Sequence, residues 1–443
     1  MSSSGTKPRI HWVSPLPPAE TDIAEYTRRI LPALSERSEL TLWTDRQDWS
    51  EGLDRKANVR AFASDSIETL TQSLGNCRPG QPEAVFLHIG NNWQFHAGIA
   101  RLAQQIPAYV VLHDVALLDF FRDLSGQGKI RRLGLLQDVV RWYGADAAME
   151  IAAVLTGGLT GPDLYGRYPL WEIGIGRAAG VVVHTKPAEA IVGERAPVPV
   201  YRLELPFRAG GNGSPNRRND GPLRFVQFGH IGPNRRLDVI FEALGQASRK
   251  IPDFDFIFDV FGKLWDPALF KRLAADYGIS DKIRFRGFVS ETELDEAISD
   301  AHLVFNLRNP TMGEASGSQL RIWANAAYSV VTDIGWYATL PSDTVAKVPA
   351  ADERTGLLQV LERLHKNRAV GQQSGAAGLR LVGEKHTPER YADDIVSLAE
   401  KSARDIANQL LRESAERVLA RGGGSELFAR RIEERLGSGF LVS

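Results

Sequence analysis

The chain has 443 residues, 43% of them hydrophobic and 24% charged, with a formal net charge of −1 and one cysteine, Cys77. This is the composition of a globular protein, and the length exceeds what one ordinary core supports, which predicts two domains. The near-zero charge argues against nucleic-acid binding, and one cysteine excludes an internal disulfide framework and a cysteine-rich zinc site.

The N-terminal residues lack the apolar segment of a secretory signal, and no uninterrupted apolar run reaches about 18 residues. Together with the single cysteine, these features predict a cytoplasmic protein whose contact with a membrane is at most peripheral.

Short apolar segments alternate with segments of helical periodicity along the chain. The predicted strands and helices of the first half are strands 9–13, 84–89, 109–112 and 180–183 and helices 23–35, 96–105 and 129–155. Those of the second half are strands 223–228, 255–261, 282–285, 303–305 and 329–332 and helices 236–250, 267–278, 291–299 and 318–327. This alternation predicts an α/β fold with parallel sheets covered by helices on both faces.

The segment 208–222, RAGGNGSPNRRNDGP, separates the two halves and has almost no apolar residue. Its Gly, Asn and Pro content is typical of an inter-domain linker, although a long surface loop would have a similar composition. We therefore predict domains at 1–207 and 223–388, followed by a helical segment at 389–443 with helices at 389–421 and 425–436. Ligands of doubly wound domains lie at the carboxyl ends of the strands, so we expect a site in the cleft between the halves.

The segment 306–320, NLRNPTMGEASGSQL, joins a predicted strand to a predicted helix. The first amides of a helix are unpaired and favour anions, and Gly313 and Gly317 let a ligand approach the backbone. Glu314 is then placed to accept hydrogen bonds from sugar hydroxyls beside bound phosphates. The alternative is a simple helix-capping loop, with Ser316 or Ser318 as the cap and a solvated glutamate.

Two further loops follow predicted strands. In FGHIGPNRR, Gly232 lies in a tight turn, and His230 and Arg235 supply positive charge that suits a diphosphate; a solvated basic loop is the alternative. In LHD, His113 is placed to donate to a ligand hydroxyl or to carry a proton, although a single histidine is often structural.

A metal site is the less favoured hypothesis. Asp253 and Asp255 form a D-x-D pattern that could bind Mg²⁺ or Mn²⁺, but their position before a strand is typical of turn carboxylates. We expect no cofactor and no required metal.

A basic amphipathic segment covers 129–143, KIRRLGLLQDVVRWY. Its Trp and Tyr and its basic residues are features of helices that lie on anionic membranes, although a buried helix with basic residues facing water fits the same pattern.

The second half resembles retaining glycosyltransferases of family 4, which have the GT-B fold. The resemblance is carried by FGHIGPNRRLDVIFEAL, FDVFGK, IRFRGFVSETELDEAISDAHLVFNL and GEASGSQLRIWANAAYSVVTDIG, and less closely by SPLPP, HIGNN and LHD in the first half. It implies two Rossmann-like domains that face a cleft, with a C-terminal helix that crosses back to the first domain. It also implies sugar transfer from a nucleotide-sugar to a saccharide or lipid-linked acceptor, with retention of configuration and without an obligatory metal.

The resemblance also implies roles for individual residues. Glu314 holds the donor sugar, His113 faces that sugar from the first domain, and His230 and Arg235 neutralise the diphosphate. The remaining implied donor contacts are the backbone of Ala315, Ser316, Gly317 and Ser318, the tight turn at Gly232, and Gly287 to Val289 beside the nucleobase.

The sequence departs from the family at three positions. Ile322 stands where a second glutamate usually binds the ribose, His230 replaces an arginine, and Asp22 replaces a glycine. Arg321 or Arg308 could compensate for the lost charge, and we include Arg321 among the donor-binding residues. These departures keep two alternatives open, a transferase-like binding subunit without turnover and a sugar-nucleotide epimerase that uses His88 or His113 as acid and base.

Overall fold

The computed structural model describes residues 6–63, 68–75, 78–208 and 220–420. Cys77, most of the predicted linker and the predicted helix at 425–436 lie outside these residues. The contacts divide the chain into two compact units, the first formed by Met1–Glu204, Met312–Ala315 and Pro388–Ser443 and the second by Leu205–Thr311 and Ser316–Thr387.

The first unit is built on a seven-stranded parallel sheet with the order β3-β2-β1-β4-β5-β6-β7. The strands are β1 (Arg9–Val13), β2 (Glu39–Thr44), β3 (Asn58–Ala61), β4 (Glu83–Ile89), β5 (Tyr109–Leu112), β6 (Gly180–Val183) and β7 (Val200–Arg202). The helices are α1 (Asp22–Arg37), α2 (Glu68–Thr71), α3 (Trp93–Ala103), α4 (Leu118–Gly126), α5 (Arg132–Tyr143), α6 (Ala145–Leu155), α7 (Leu164–Arg167), α8 (Trp171–Gly174) and α9 (Lys186–Gly193). Central strands such as β5 and β6 are buried at every residue, because helices cover both faces of a parallel sheet.

The second unit contains a six-stranded parallel sheet with the order β10-β9-β8-β11-β12-β13. The strands are β8 (Leu223–Phe228), β9 (Phe256–Phe261), β10 (Ile283–Gly287), β11 (Leu303–Phe305), β12 (Ser329–Thr332) and β13 (Ala346–Val348). The helices are α10 (Leu237–Lys250), α11 (Pro267–Asp276), α12 (Glu291–Asp300), α13 (Gly317–Ala324), α14 (Gly335–Ala338), α15 (Glu353–Lys366) and α16 (Val370–Lys385).

The long helix α17 (Pro388–Ala420) belongs to the first unit, so the chain returns to that unit after completing the second. Tyr26 on α1 donates its hydroxyl proton to the hydroxyl of Tyr391 at 2.6 Å, and Tyr109 donates to Asp405 at 2.8 Å. The two parallel sheets with their helices, and the C-terminal helix that returns to the first unit, confirm the α/β fold class predicted from the sequence.

The predicted helix at 129–155 is interrupted in the structure. Gly144 adopts a φ of 88° between α5 and α6, a backbone conformation that glycine reaches without strain. No helix among the described residues is long and apolar enough to cross a membrane.

Candidate functional site

His113 follows β5 at the carboxyl edge of the first sheet. Its backbone N–H donates to the carbonyl of Ile89 at 2.8 Å, which ties it to the end of neighbouring β4. The rings of Tyr26 and His184 lie 5.1 Å from its ring, measured between centroids, and His88 Nδ1 lies 3.0 Å from His113 Nε2. His113 is half-buried whereas His88 is fully buried, so His113 is the more accessible ring of the pair.

These histidines are neutral at neutral pH. Burial is the largest cause that lowers the pKa of His88 and His113 well below the ordinary value, and neighbouring His184 acts in the same direction. Burial also lowers the pKa of His96 and of His184 to about 4. The cluster can therefore donate or accept hydrogen bonds, but it carries no charge that could neutralise a phosphate.

Glu314 and Ala315 lie in the short segment Met312–Ala315, which groups with the first unit. The carbonyl of Met312 accepts the N–H groups of Val115 and Ala116 at 2.9 and 3.0 Å, just beyond His113. The Glu314 carboxylate accepts the Met312 N–H at 2.7 Å. These bonds hold the Glu314 backbone beside the loop that carries His113, so the first unit brings the two predicted catalytic residues into adjoining loops.

Gly313 is required for that arrangement. It has a φ of 78°, and a Cβ atom built on it would lie 2.8 Å from the Cβ of Val115. A side chain here would be strained by its backbone conformation and would also displace the neighbouring loop.

Arg235 lies in the loop after β8 in the second unit, in a short 3₁₀ turn over Pro233–Arg235. The turn is closed by the Arg235 N–H, which donates to the carbonyl of Gly232 at 3.0 Å. The side chain is 4% exposed and donates from Nη1 to the amide oxygen of Asn306 at 3.1 Å. A cation is thus held at the carboxyl edge of the sheet, where one of its N–H groups binds a neutral amide.

Further positive charge surrounds His230. Burial is the largest cause that lowers the pKa of this histidine, and repulsion from Lys263, Arg235 and Arg308 lowers it further. Three cations therefore lie near its ring. Sequence reasoning missed Lys263, although it follows Gly262 at the end of β9, as His230 follows Gly229 at the end of β8. Lys263 is exposed and Arg308 is half-buried, and together they supply the charge that a neutral His230 lacks.

The start of α13 is linked to Arg235 by buried amides. Ser316 caps this helix by accepting the N–H of Gln319 at 3.0 Å, and the Asn306 amide donates to the Gln319 side chain at 3.0 Å. Sequence reasoning treated Asn306 as the start of a loop and did not single out Gln319. A Cβ built on Gly317 would meet no atom within 4 Å, and Ser318 is half-buried, so the first turn of α13 remains open on this side.

Arg321, which the sequence placed among the donor-binding residues, forms ion pairs within the second unit. Its guanidinium forms ion pairs with Asp295 at 2.7 Å and Glu291 at 2.8 Å, both on α12. Its charge is therefore paired within the unit, and its part in donor binding stays a prediction. Ile322 is fully buried in an apolar cluster, so this position packs the core.

Gly287 ends β10 with a φ of 65°, and its carbonyl accepts the N–H of Gly262 at 2.7 Å. Val289 packs against the core, whereas Phe288 between them is 78% exposed. This loop therefore presents an aromatic ring to solvent next to the loop that carries Lys263.

The D-x-D pattern has a structural explanation. Asp255 pairs with Lys282 at 2.6 Å, and Asp253 has a φ of 56° in the turn before β9. Within the described ranges, no three His, Cys, Asp or Glu side chains are grouped as metal ligands would be.

No family model matches the sequence, and no curated protein matches it. Solved structures do match. A sucrose-phosphate synthase from Thermosynechococcus elongatus has 15% identity and a TM-score of 0.58, with 89% of this chain and 99% of that chain covered. A glycosyltransferase from Rickettsia africae has 10% identity and a TM-score of 0.59 over 90% of this chain and 99% of that one. HepE from Anabaena, solved with UDP-glucose, has 10% identity and a TM-score of 0.56 over 88% and 98%. These neighbours have the GT-B architecture, and the fold of this chain is therefore GT-B.

Proposed function

We propose that the chain is a glycosyltransferase that moves a sugar from a nucleotide-sugar to a saccharide or lipid-linked acceptor. The observation that carries the proposal is the group of three cations, Arg235, Lys263 and Arg308, near His230 in loops that follow strands of the second sheet. A diphosphate leaving group gains negative charge as the glycosidic bond breaks, and preorganised cations stabilise that charge. The neighbour solved with UDP-glucose supports a nucleotide-sugar as the donor.

The reaction proceeds with retention of configuration and needs no metal. Cations and the open first turn of α13 perform the charge neutralisation that a divalent ion would otherwise supply. EDTA is expected to leave the transfer rate unchanged. Loss of activity in EDTA that Mn²⁺ restores would overturn this part of the proposal.

Donor binding is testable without knowledge of the acceptor. Thermal unfolding is measured with UDP-, GDP- and ADP-sugars, since a ligand at 100 times its Kd adds about 2.7 kcal/mol to the free energy of unfolding. One nucleotide class is expected to raise the Tm, and the matching sugar-nucleotide is then tested for hydrolysis and transfer. If no nucleotide-sugar raises the Tm, the proposed function is wrong.

Glu314→Gln is expected to leave the fold intact and to lower kcat/KM by roughly 10- to 100-fold. The amide oxygen can still accept the Met312 N–H, whereas charge-assisted hydrogen bonds to the sugar hydroxyls are lost. The two measurements are the Tm and the initial transfer rate. A variant with a normal Tm and wild-type kcat/KM would remove Glu314 from the site.

The same experiments separate the alternatives. If the wild-type chain turns over its substrate and Glu314→Gln lowers that rate, the chain is not a binding subunit without activity. Product analysis without an acceptor identifies an epimerase, because an epimerase changes the sugar of the nucleotide-sugar itself.

The enzyme acts in the cytoplasm at the inner face of the membrane, in bacterial surface polysaccharide or glycoconjugate synthesis. Helix α5 supports the contact with the membrane. Its Leu135 and Val139 are buried, whereas Leu133 and Val140 are 63% and 47% exposed. Arg131 at its start is exposed as well, so apolar and basic groups share the solvent side.

Sedimentation with anionic vesicles at low salt is expected to carry the protein down. The double variant Arg131→Glu with Arg132→Glu should weaken this binding, because it reverses the charge at the start of α5. Arg249→Glu with Lys250→Glu changes the net charge equally on α10 and serves as the control. Wild-type protein that stays in the supernatant would indicate a soluble acceptor.

A further inference from the structure

The contact between His88 and His113 constrains where the ring protons lie. His88 belongs to β4 and His113 follows β5, and these strands are parallel neighbours. Their rings are 3.0 Å apart from Nδ1 of His88 to Nε2 of His113. Because both rings are neutral, one of these two nitrogens carries the shared proton and the other accepts it.

The far side of His88 decides between the two arrangements. Its Nε2 atom is buried and has no hydrogen-bond partner, and the ring of Trp12 lies 4.2 Å away between centroids. If His113 donated the shared proton, Nε2 of His88 would be an N–H group buried without an acceptor. Orphaned buried N–H groups are rarer than orphaned acceptors, so Nε2 of His88 carries the lone pair and Nδ1 carries the proton.

Neighbouring groups keep both rings in place. His96 donates from Nδ1 to the backbone carbonyl of His88 at 3.0 Å, and His184 donates from Nδ1 to the carbonyl of Leu203 at 3.0 Å. Their ring protons are therefore used elsewhere, and neither can supply the proton that the His88–His113 pair shares.

We infer that His88 is a positioning residue: its Nδ1–H donates to Nε2 of His113 and fixes His113 as an Nδ1–H donor. The partly exposed ring of His113 then offers its Nδ1–H group to a ligand oxygen, such as a sugar hydroxyl. Its Nε2 atom already accepts the proton of His88, so no nitrogen of His113 remains to accept another proton. This ligand assignment rests on the proposed function. The arrangement disfavours His113 and the enclosed His88 as the acid–base pair of an epimerase.

The tautomer can be read without any activity. The full chain is labelled with [¹⁵N]histidine, and long-range ¹H–¹⁵N spectra distinguish protonated from bare ring nitrogens, with His88→Asn and His113→Asn used for assignment. His113 is expected to carry its proton on Nδ1, which is the less common tautomer of free histidine. A proton on Nε2 of His113 overturns the inference whether or not the chain is a transferase.

Two variants test the consequence. His88→Leu removes the donor, and His113 is expected to change to the Nε2–H tautomer with a fall in kcat/KM of about tenfold, the effect of one buried hydrogen bond. His88→Asn restores an N–H near the Nδ1 position and should recover most of both losses. His386→Asn changes a buried histidine of the second unit and should alter neither the His113 tautomer nor kcat/KM.

A His88→Leu variant with an unchanged His113 tautomer and unchanged kcat/KM would contradict the positioning role. If neither the wild type nor any variant has activity but the His113 tautomers are as expected, only the proposed function is wrong.

Discussion

Arg235→Ala is expected to lower kcat/KM for the nucleotide-sugar by roughly 10²- to 10³-fold, the loss seen when one preorganised charge-stabilising group is removed from an active site. Both kcat and KM should change. The cation binds the diphosphate in the ground state, and it binds more strongly as charge develops on the leaving group. Steady-state kinetics with the donor identified by thermal unfolding measure both parameters.

The effect depends on how Arg235 is held. The amide oxygen of Asn306 accepts its Nη1–H at 3.1 Å without neutralising it. Asn306→Asp would place a carboxylate at that distance, and the resulting buried ion pair should compete with the diphosphate for the guanidinium. This variant is therefore expected to raise the KM for the donor. Because it also removes the amide N–H that donates to Gln319, its Tm is measured alongside the kinetics.

The controls separate charge at the site from charge in general. Arg235→Lys keeps the cation and should lose less activity than Arg235→Ala. Arg354→Ala removes an exposed arginine that pairs with Glu242 on α10, and it should leave the kinetics unchanged. Equal activity of wild type and Arg235→Ala would place the diphosphate elsewhere.

The parts of the fold with strong local signals could be predicted from the sequence. Buried runs such as β5 and β6 are apolar at almost every residue, because both of their faces are covered. β2 and β3 were missed for the opposite reason. β2, ELTLWT, contains polar residues although five of its six residues are buried, and β3, NVRA, is an edge strand without an apolar run.

The site was predictable only where it is local. The glycine-containing loop after β8 made His230 and Arg235 candidates, since that signal lies within a few residues of the chain. Asn306, which accepts a hydrogen bond from Arg235, is 71 residues away, and this contact depends on the adjacency of β8 and β11, which short patterns do not specify. The ion pairs of Arg321 could not be predicted for the same reason, because they come from the packing of α13 on α12.

The cluster of neutral histidines is expected to make the first unit unstable in mild acid. The pKa of His184 is lowered by burial to about 4, whereas an unfolded histidine titrates near 6.5. The unfolded chain therefore binds the proton first as the pH falls. The stabilisation is fully present above pH 6.5 and is lost progressively between pH 6.5 and about 4, by roughly 3 kcal/mol for this residue.

His96 has its pKa lowered to about 4 as well, and His88 and His113 are shifted in the same direction. Their contributions have the same sign, so the loss should be steep. Urea unfolding of the full chain at several pH values between 7.5 and 4.5 measures the free energy of unfolding. Carboxylates also titrate in this range, so the informative quantity is the difference between wild type and a histidine variant.

His184→Asn isolates the contribution of one ring. The asparagine amide can still donate to the Leu203 carbonyl but cannot be protonated, and it loses the ring contacts with Tyr26 and Tyr391. The variant should be less stable than wild type at pH 7.5, and the gap should shrink or reverse by pH 4.5. A His184→Asn gap that does not change with pH would show that His184 takes up its proton alike in the folded and the unfolded chain, so that burial does not lower its pKa.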